Sequence, residues 1–155
     1  MRAHERHEDE RGMMNLADIP ETSCSCDTCK KMCDRPCWPT PEEVEELVKK
    51  GFGKRLMLDW WQRCFSDDIM LVSPALIGFE QRMAPSLHPI GGCTFQNSDG
   101  LCELHQIGLK PIEGRLASCK RQNNGYDLHK AVSELWDSDK GREVVKLWKM
   151  EANLV

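Results

Sequence analysis

Between Thr40 and Gly51 the apolar residues Val44, Leu47 and Val48 fall on one face of a 3.6-residue period, with charged residues filling the remaining positions. The segment carries its own boundary signals. Thr40 at the N-cap and Glu43 three residues on form a capping box, Pro41 takes the first helical position, and Gly51 offers the left-handed stop. Glu42 and Glu43 meet the positive end of the helix dipole, and Lys49 and Lys50 the negative end. Leu56, Met57, Trp60 and Cys64 also share a face at helical spacing. This predicts a second helix over 54–65, with Cys64 as a packed core thiol, because a thiol behaves as a small hydrophobe. From Ile69 to Phe79 apolar and β-branched residues surround Ser73-Pro74, predicting a strand with a break. Pro85, Pro89 and Gly91-Gly92 mark a loop, and Asn97-Ser98-Asp99-Gly100 a tight turn. Asn123-Asn124-Gly125 opens a helix with the stripe Leu128, Ala131, Val132, Leu135 and Trp136. A last helix, capped by Ser138 or Asp139, carries Val144, Val145 and Trp148. The expected class is α+β and predominantly helical, with a C-terminal helical pair packed as a layer over the rest.

Cysteine changes that picture. Nine occur in 155 residues, and five stand between Cys24 and Cys37 in the run CSCDTCKKMCDRPC. Thiolate sulfur is the softest ligand a protein offers, so such a cluster points to zinc, iron or an iron–sulfur centre. Cys26-x-x-Cys29 is the strongest ligand pair, because two intervening residues let both sulfurs face one ion. Cys33 and Cys37 follow at three-residue gaps, and Cys24 is too close to Cys26 to share its ion without strain, which makes it the spare thiol. The turn at Asn97–Gly100 would bring Cys93 and Cys102 together. A small cysteine-rich, metal-centred domain is therefore expected over 23–122, preceded by a flexible polar tail over 1–22 and followed by the packing helices of 123–155. His4 and His7 in the tail read as solvated.

Compartment separates a metal site from a disulfide framework. The N-terminus, MRAHERHEDERGMM, lacks the apolar core of a secretory signal, and no stretch approaches the roughly 18 apolar residues of a membrane helix. A cytoplasmic location is expected, where disulfides do not persist, and an odd cysteine count fits full pairing poorly. A net charge of −4 and the short basic fragment Cys119–Gln122 give no phosphate-tracking surface, so neither nucleic acid nor membrane is an expected partner. A protein partner is left open.

The cluster followed by Trp38-Pro39-Thr40-Pro41-Glu42-Glu43, then Cys93 with Thr94-Phe95, a turn through Gly100 to Cys102, Leu104-His105, Lys110-Pro111 and Cys119-Lys120, resembles a family of small cysteine-cluster proteins described as zinc- or iron-chelating. The resemblance spans roughly Cys24 to Lys120. Here Cys33 and Cys37 are separated where the family pairs two cysteines, and Lys110-Pro111 stands for its Arg-Pro. The resemblance implies a metal-chelating domain with Cys26, Cys29, Cys33, Cys37, Cys93, Cys102 and Cys119 as the ligand pool.

Seven thiols do not divide evenly into four-coordinate sites. A second centre of three would be completed by His88, His105, Cys64, water or a substrate, and an open position is what catalysis needs. Closed structural sites are the preferred reading, and metal removal is then expected to unfold the central domain. The alternative is an iron–sulfur protein acting in electron transfer, or as part of a protein-modifying enzyme of methyl-transfer type. A thiol–disulfide oxidoreductase using Cys26 and Cys29 ranks last, because no βαβ context surrounds them.

Overall fold

The computed structural model describes residues 16, 21, 26–31, 34–86, 90–116 and 125–152. Among them are six α-helices and one two-stranded antiparallel sheet: α1 (Asp27–Lys31), α2 (Pro41–Lys49), β1 (Leu56–Trp61), β2 (Ile69–Pro74), α3 (Glu103–Gln106), α4 (Ile112–Leu116), α5 (Gly125–Trp136) and α6 (Asp139–Glu151). The α+β class holds.

The signals around α2 are realised. The Thr40 hydroxyl accepts from Glu43 N–H, the Glu43 carboxylate accepts from Thr40 N–H, and Gly51 closes the helix at φ +91°. Glu43 has a further role: Oε1 also accepts the Ile112 N–H, at 3.0 Å, and Oε2 pairs with Arg115. One carboxylate thus serves the start of its own helix and the start of α4, far along the chain.

The helix expected over 54–65 is a strand. After a 3-10 turn at Gly53–Arg55, the run LMLDWW pairs antiparallel with Ile69–Pro74, from Leu56 opposite Pro74 to Trp61 opposite Ile69. Burial of Met57, Asp59 and Trp61 alternates with partial exposure of Leu58 and Trp60, the two-residue period of a strand. Cys64 lies past the end of β1 and is exposed, not packed in the core. Its helical spacing from Trp60 was coincidental, because the chain turns into the hairpin loop before reaching it.

The C-terminal pair forms as expected. Ser138 caps α6 by accepting the Gly141 N–H at 3.0 Å. Leu128, Ala131, Val132 and Trp136 are buried on α5, whereas Leu135 is exposed and leaves the predicted stripe. Both helices pack on β2, and α6 also packs on α2. One buried cluster joins Trp38, Val44, Leu47, Leu71, Val72, Phe95, Val132, Trp136, Val144 and Trp148. Of the amino-terminal residues, Leu16 packs against this cluster and Glu21 accepts from Arg115. None of the described helices is long and apolar enough to cross a membrane.

Candidate metal centre

Cys26 stands just before α1 and Cys29 within it, one helical turn apart, and the Lys30 N–H donates to the Cys26 carbonyl at 3.0 Å. This short helix is docked on the Asn97–Gly100 turn. Gln96 Nε2 donates both to the Lys30 carbonyl, at 3.0 Å, and to the Gly100 carbonyl, at 3.1 Å. Gly100 has φ +80°, and a Cβ there would lie 3.0 Å from the Lys30 side chain, so two separate constraints favour glycine. The turn itself is an Asx-type turn, with Asn97 Oδ1 accepting from Asp99 N–H and Leu101 N–H.

The loop carrying this turn has a cysteine at each end. Cys93 bridges to Leu76 and Cys102 to Gln96, so the loop is tied to the end of the hairpin at one side and to the Gln96 contact at the other. The Cys93 side chain is buried, and its sulfur accepts the Phe95 N–H at 3.4 Å. Cys102 is half-buried at the N-cap of α3. The turn bearing Cys26 and Cys29 and the loop bounded by Cys93 and Cys102 are therefore in contact, through Gln96 and Gly100.

Cys37 is held differently. Its sulfur lies against α4, where a Cβ on Gly114 would approach it to 2.7 Å. The next residue, Trp38, is fixed on every side. Its N–H donates to Glu113 Oε1 at 3.1 Å, its carbonyl accepts from the Glu113 N–H at 3.3 Å, and its indole Nε1 donates to Asp59 Oδ2 at 3.0 Å. The indole also stacks on the His129 ring, with centroids 3.4 Å apart, and His129 Nδ1 is bonded to Glu113 Oε2. Burial pushes the Asp59 carboxyl above its ordinary range, against the lowering effect of the bonds from Trp38 and Trp60.

Of the seven expected ligands, Cys26, Cys29, Cys37, Cys93 and Cys102 are placed as above, whereas Cys33 and Cys119 lie outside the described residues, as do Cys24 and His88. Among the described residues no three Cys, His, Asp or Glu side chains converge into a group able to hold an ion. His105 is exposed on α3, and Cys64 is exposed beyond the end of β1. The donor set itself, sulfur with one amide-to-sulfur bond, suits a thiophilic ion. The pattern of the sequence did not reveal Gln96, Arg55 or the Asp59–Trp38–His129–Glu113 network. Asp59 alone left a trace, as the single carboxylate inside the apolar run LMLDWW. No protein-family model, curated protein or solved structure matches the chain.

Proposed function

We propose that this chain is a cysteine-cluster metal-binding module in which thiolates drawn from Cys26, Cys29, Cys33, Cys37, Cys93, Cys102 and Cys119 hold zinc or iron, zinc being the expected ion. It acts as a structural or chelating module to which no catalytic step is assigned. The reading is carried by one observation: the turn bearing Cys26 and Cys29 is docked by Gln96 onto the loop that begins at Cys93 and ends at Cys102. Segments nearly seventy positions apart in sequence are thereby neighbours, and each carries cysteines. The resemblance to zinc- or iron-chelating cysteine-cluster proteins supports the same reading, and a cytoplasmic, reducing setting belongs to it, since thiols in this number stay reduced there.

The test is elemental analysis with a UV–visible spectrum on untagged protein purified without oxygen. One or two zinc per chain and no visible absorbance is the expected result. Iron with acid-labile sulfide and absorbance near about 400 nm would replace it with an iron–sulfur protein. Metal-free protein that takes up neither ion would end both readings.

A further inference from the structure

Arg55 lies at the end of the 3-10 turn that leads into β1, outside every cysteine-bearing segment. Its guanidinium nevertheless holds the loop between Cys93 and Cys102 at both ends. Nη2 donates to the Thr94 carbonyl at 2.7 Å, one residue after Cys93, and the two Nη atoms grip the Glu103 carboxylate at 3.1 and 2.8 Å, one residue after Cys102. Between these contacts the guanidinium lies 4.1 Å from the centre of the Phe95 ring, whose backbone N–H is the donor to the Cys93 sulfur. The Arg55 backbone takes part as well, because its carbonyl accepts the Thr94 hydroxyl at 3.3 Å and the Ala75 N–H at 3.0 Å.

A half-exposed Arg–Glu pair contributes little to stability, so this grip is poorly explained as a fold staple. Its geometry has another consequence. A permanent positive charge is held on Thr94 and Phe95, the two residues that follow Cys93, and donation to the Glu103 carboxylate keeps the guanidinium proton bound more firmly than usual. A four-thiolate zinc centre carries a net charge of −2, and little water reaches Cys93 to offset it.

We propose that Arg55 is the positioning residue and counter-charge of the metal centre, aligning Cys93 and Cys102 through the backbone next to each and offsetting the negative charge the thiolates bring. The proposal rests on the metal-binding reading above. Arg55 reaches the proposed centre through its neighbours. It acts through Thr94, Phe95 and Glu103.

The experiment compares full-length wild type with Arg55→Gln, Arg55→Lys and Glu103→Gln, each loaded with zinc and, in a second series, with cobalt(II). Loss of zinc to a chelator is timed, and the thiolate-to-cobalt charge-transfer band is recorded. Removing an outer-shell partner typically weakens metal affinity about 10–100-fold, so zinc loss from Arg55→Gln is expected to accelerate by about tenfold or more. Its cobalt band should move to longer wavelength, because sulfur donors without a neighbouring cation are easier to oxidise. Arg55→Lys keeps the charge and should recover most of the band position. Glu103→Gln releases the grip beside Cys102 but keeps the charge on Thr94 and Phe95, so its zinc loss should quicken while its band stays near the wild-type position. An unchanged band and unchanged zinc loss in Arg55→Gln overturns the proposal while leaving the metal centre standing. So does Arg55→Lys shifting the band as far as Arg55→Gln, which would reduce the residue to packing. Should Arg55→Gln fail to fold, the Arg55→Lys band decides alone. Wild type that takes up neither ion overturns the metal reading and this proposal together.

Discussion

Asp59 is a carboxylate that folding removes almost wholly from water, and among the described residues two hydrogen bonds compensate it, from Trp38 Nε1 and Trp60 N–H. Desolvation wins over those bonds, and the group is harder to ionise in the folded protein than in the unfolded chain. An acid whose folded pKa is raised binds more protons folded than unfolded once the pH exceeds the unfolded value near about 4, so its contribution to stability falls as pH rises through the window above that value. Glu113 opposes its ionisation further, and His129 favours it when charged. Asp59→Asn retains an acceptor and cannot ionise. Wild type should therefore lose stability relative to Asp59→Asn as the pH rises above about 4, as read from urea midpoints. Taking the difference between the two proteins cancels the titration of the thiols. Asp59→Ala strands the buried Trp38 Nε1–H and should cost about 1–3 kcal/mol at any pH. At Gly114 the expected sign is also unusual. Alanine in a helix interior normally gains up to about 1 kcal/mol over glycine. Here the new methyl would meet the Cys37 sulfur at 2.7 Å, and the backbone beside that sulfur is pinned by Trp38 on Glu113 and Asp59. Gly114→Ala should lower the melting temperature, with a cost of about 1–3 kcal/mol typical of overpacking.

The elements whose ends are written in side chains were the ones legible in the sequence. Thr40, Pro41, Glu43 and Gly51 bracket α2 with short-range chemistry, and Ser138 does so for α6. Asn97 and Gly100 did the same for the turn between Cys93 and Cys102. What fixes β1 is instead its partner: Leu56–Trp61 is an apolar run short enough to suit either period, and the pairing with Ile69–Pro74 decides it. The candidate site was legible to the same extent, in its sulfurs and its turn. Gln96 and Arg55 left no mark, because their roles depend on which distant backbone lies within reach. The junction of α5 and α6 contains a constraint of this hidden kind. A Cβ on Gly141 would collide with the Trp136 carbonyl oxygen and lie 2.7 Å from two further Trp136 backbone atoms. Backbone cannot step aside as a side chain can, so Gly141→Ala must push the two helices apart, although its φ is unremarkable. Its cost should lie at or beyond the upper end of the roughly 1–3 kcal/mol of overpacking, whereas removing the cap with Ser138→Ala should cost about 1 kcal/mol. Thermal melts of the two variants side by side check the order, and an equal or smaller loss for Gly141→Ala would contradict the close approach.

At the scale of the molecule, the apolar core and the cysteine-bearing segments meet at Cys93 and Cys102. The main core is assembled from α2, the hairpin, α5 and α6 around Trp38, Trp136 and Trp148, and Cys93 is the one described sulfur fully within it. Indole contacts lock that core internally: Trp136 Nε1 donates to the Pro39 carbonyl at 2.8 Å and Trp148 Nε1 to the Gly53 carbonyl at 2.8 Å. Small metal domains that unfold without their ion lack such a core, and a chain of this length can bury one. If the chain holds the proposed ion, its removal should therefore not unfold the central domain as a whole, contrary to what the cysteine count alone suggests. By contrast, α1 is only five residues long, too short to persist by itself, and among the described contacts it is held chiefly by Gln96 and the Gly100 turn. Stripping the ion with a chelator under reducing conditions should leave the near-ultraviolet signal of the buried tryptophans largely intact. Amide exchange should rise at residues 26–31 and 94–106 and stay slow in α2, β2 and the middle of α6. A single cooperative loss of tryptophan signal and of protection everywhere would mean that the ion, and not the apolar core, nucleates this fold.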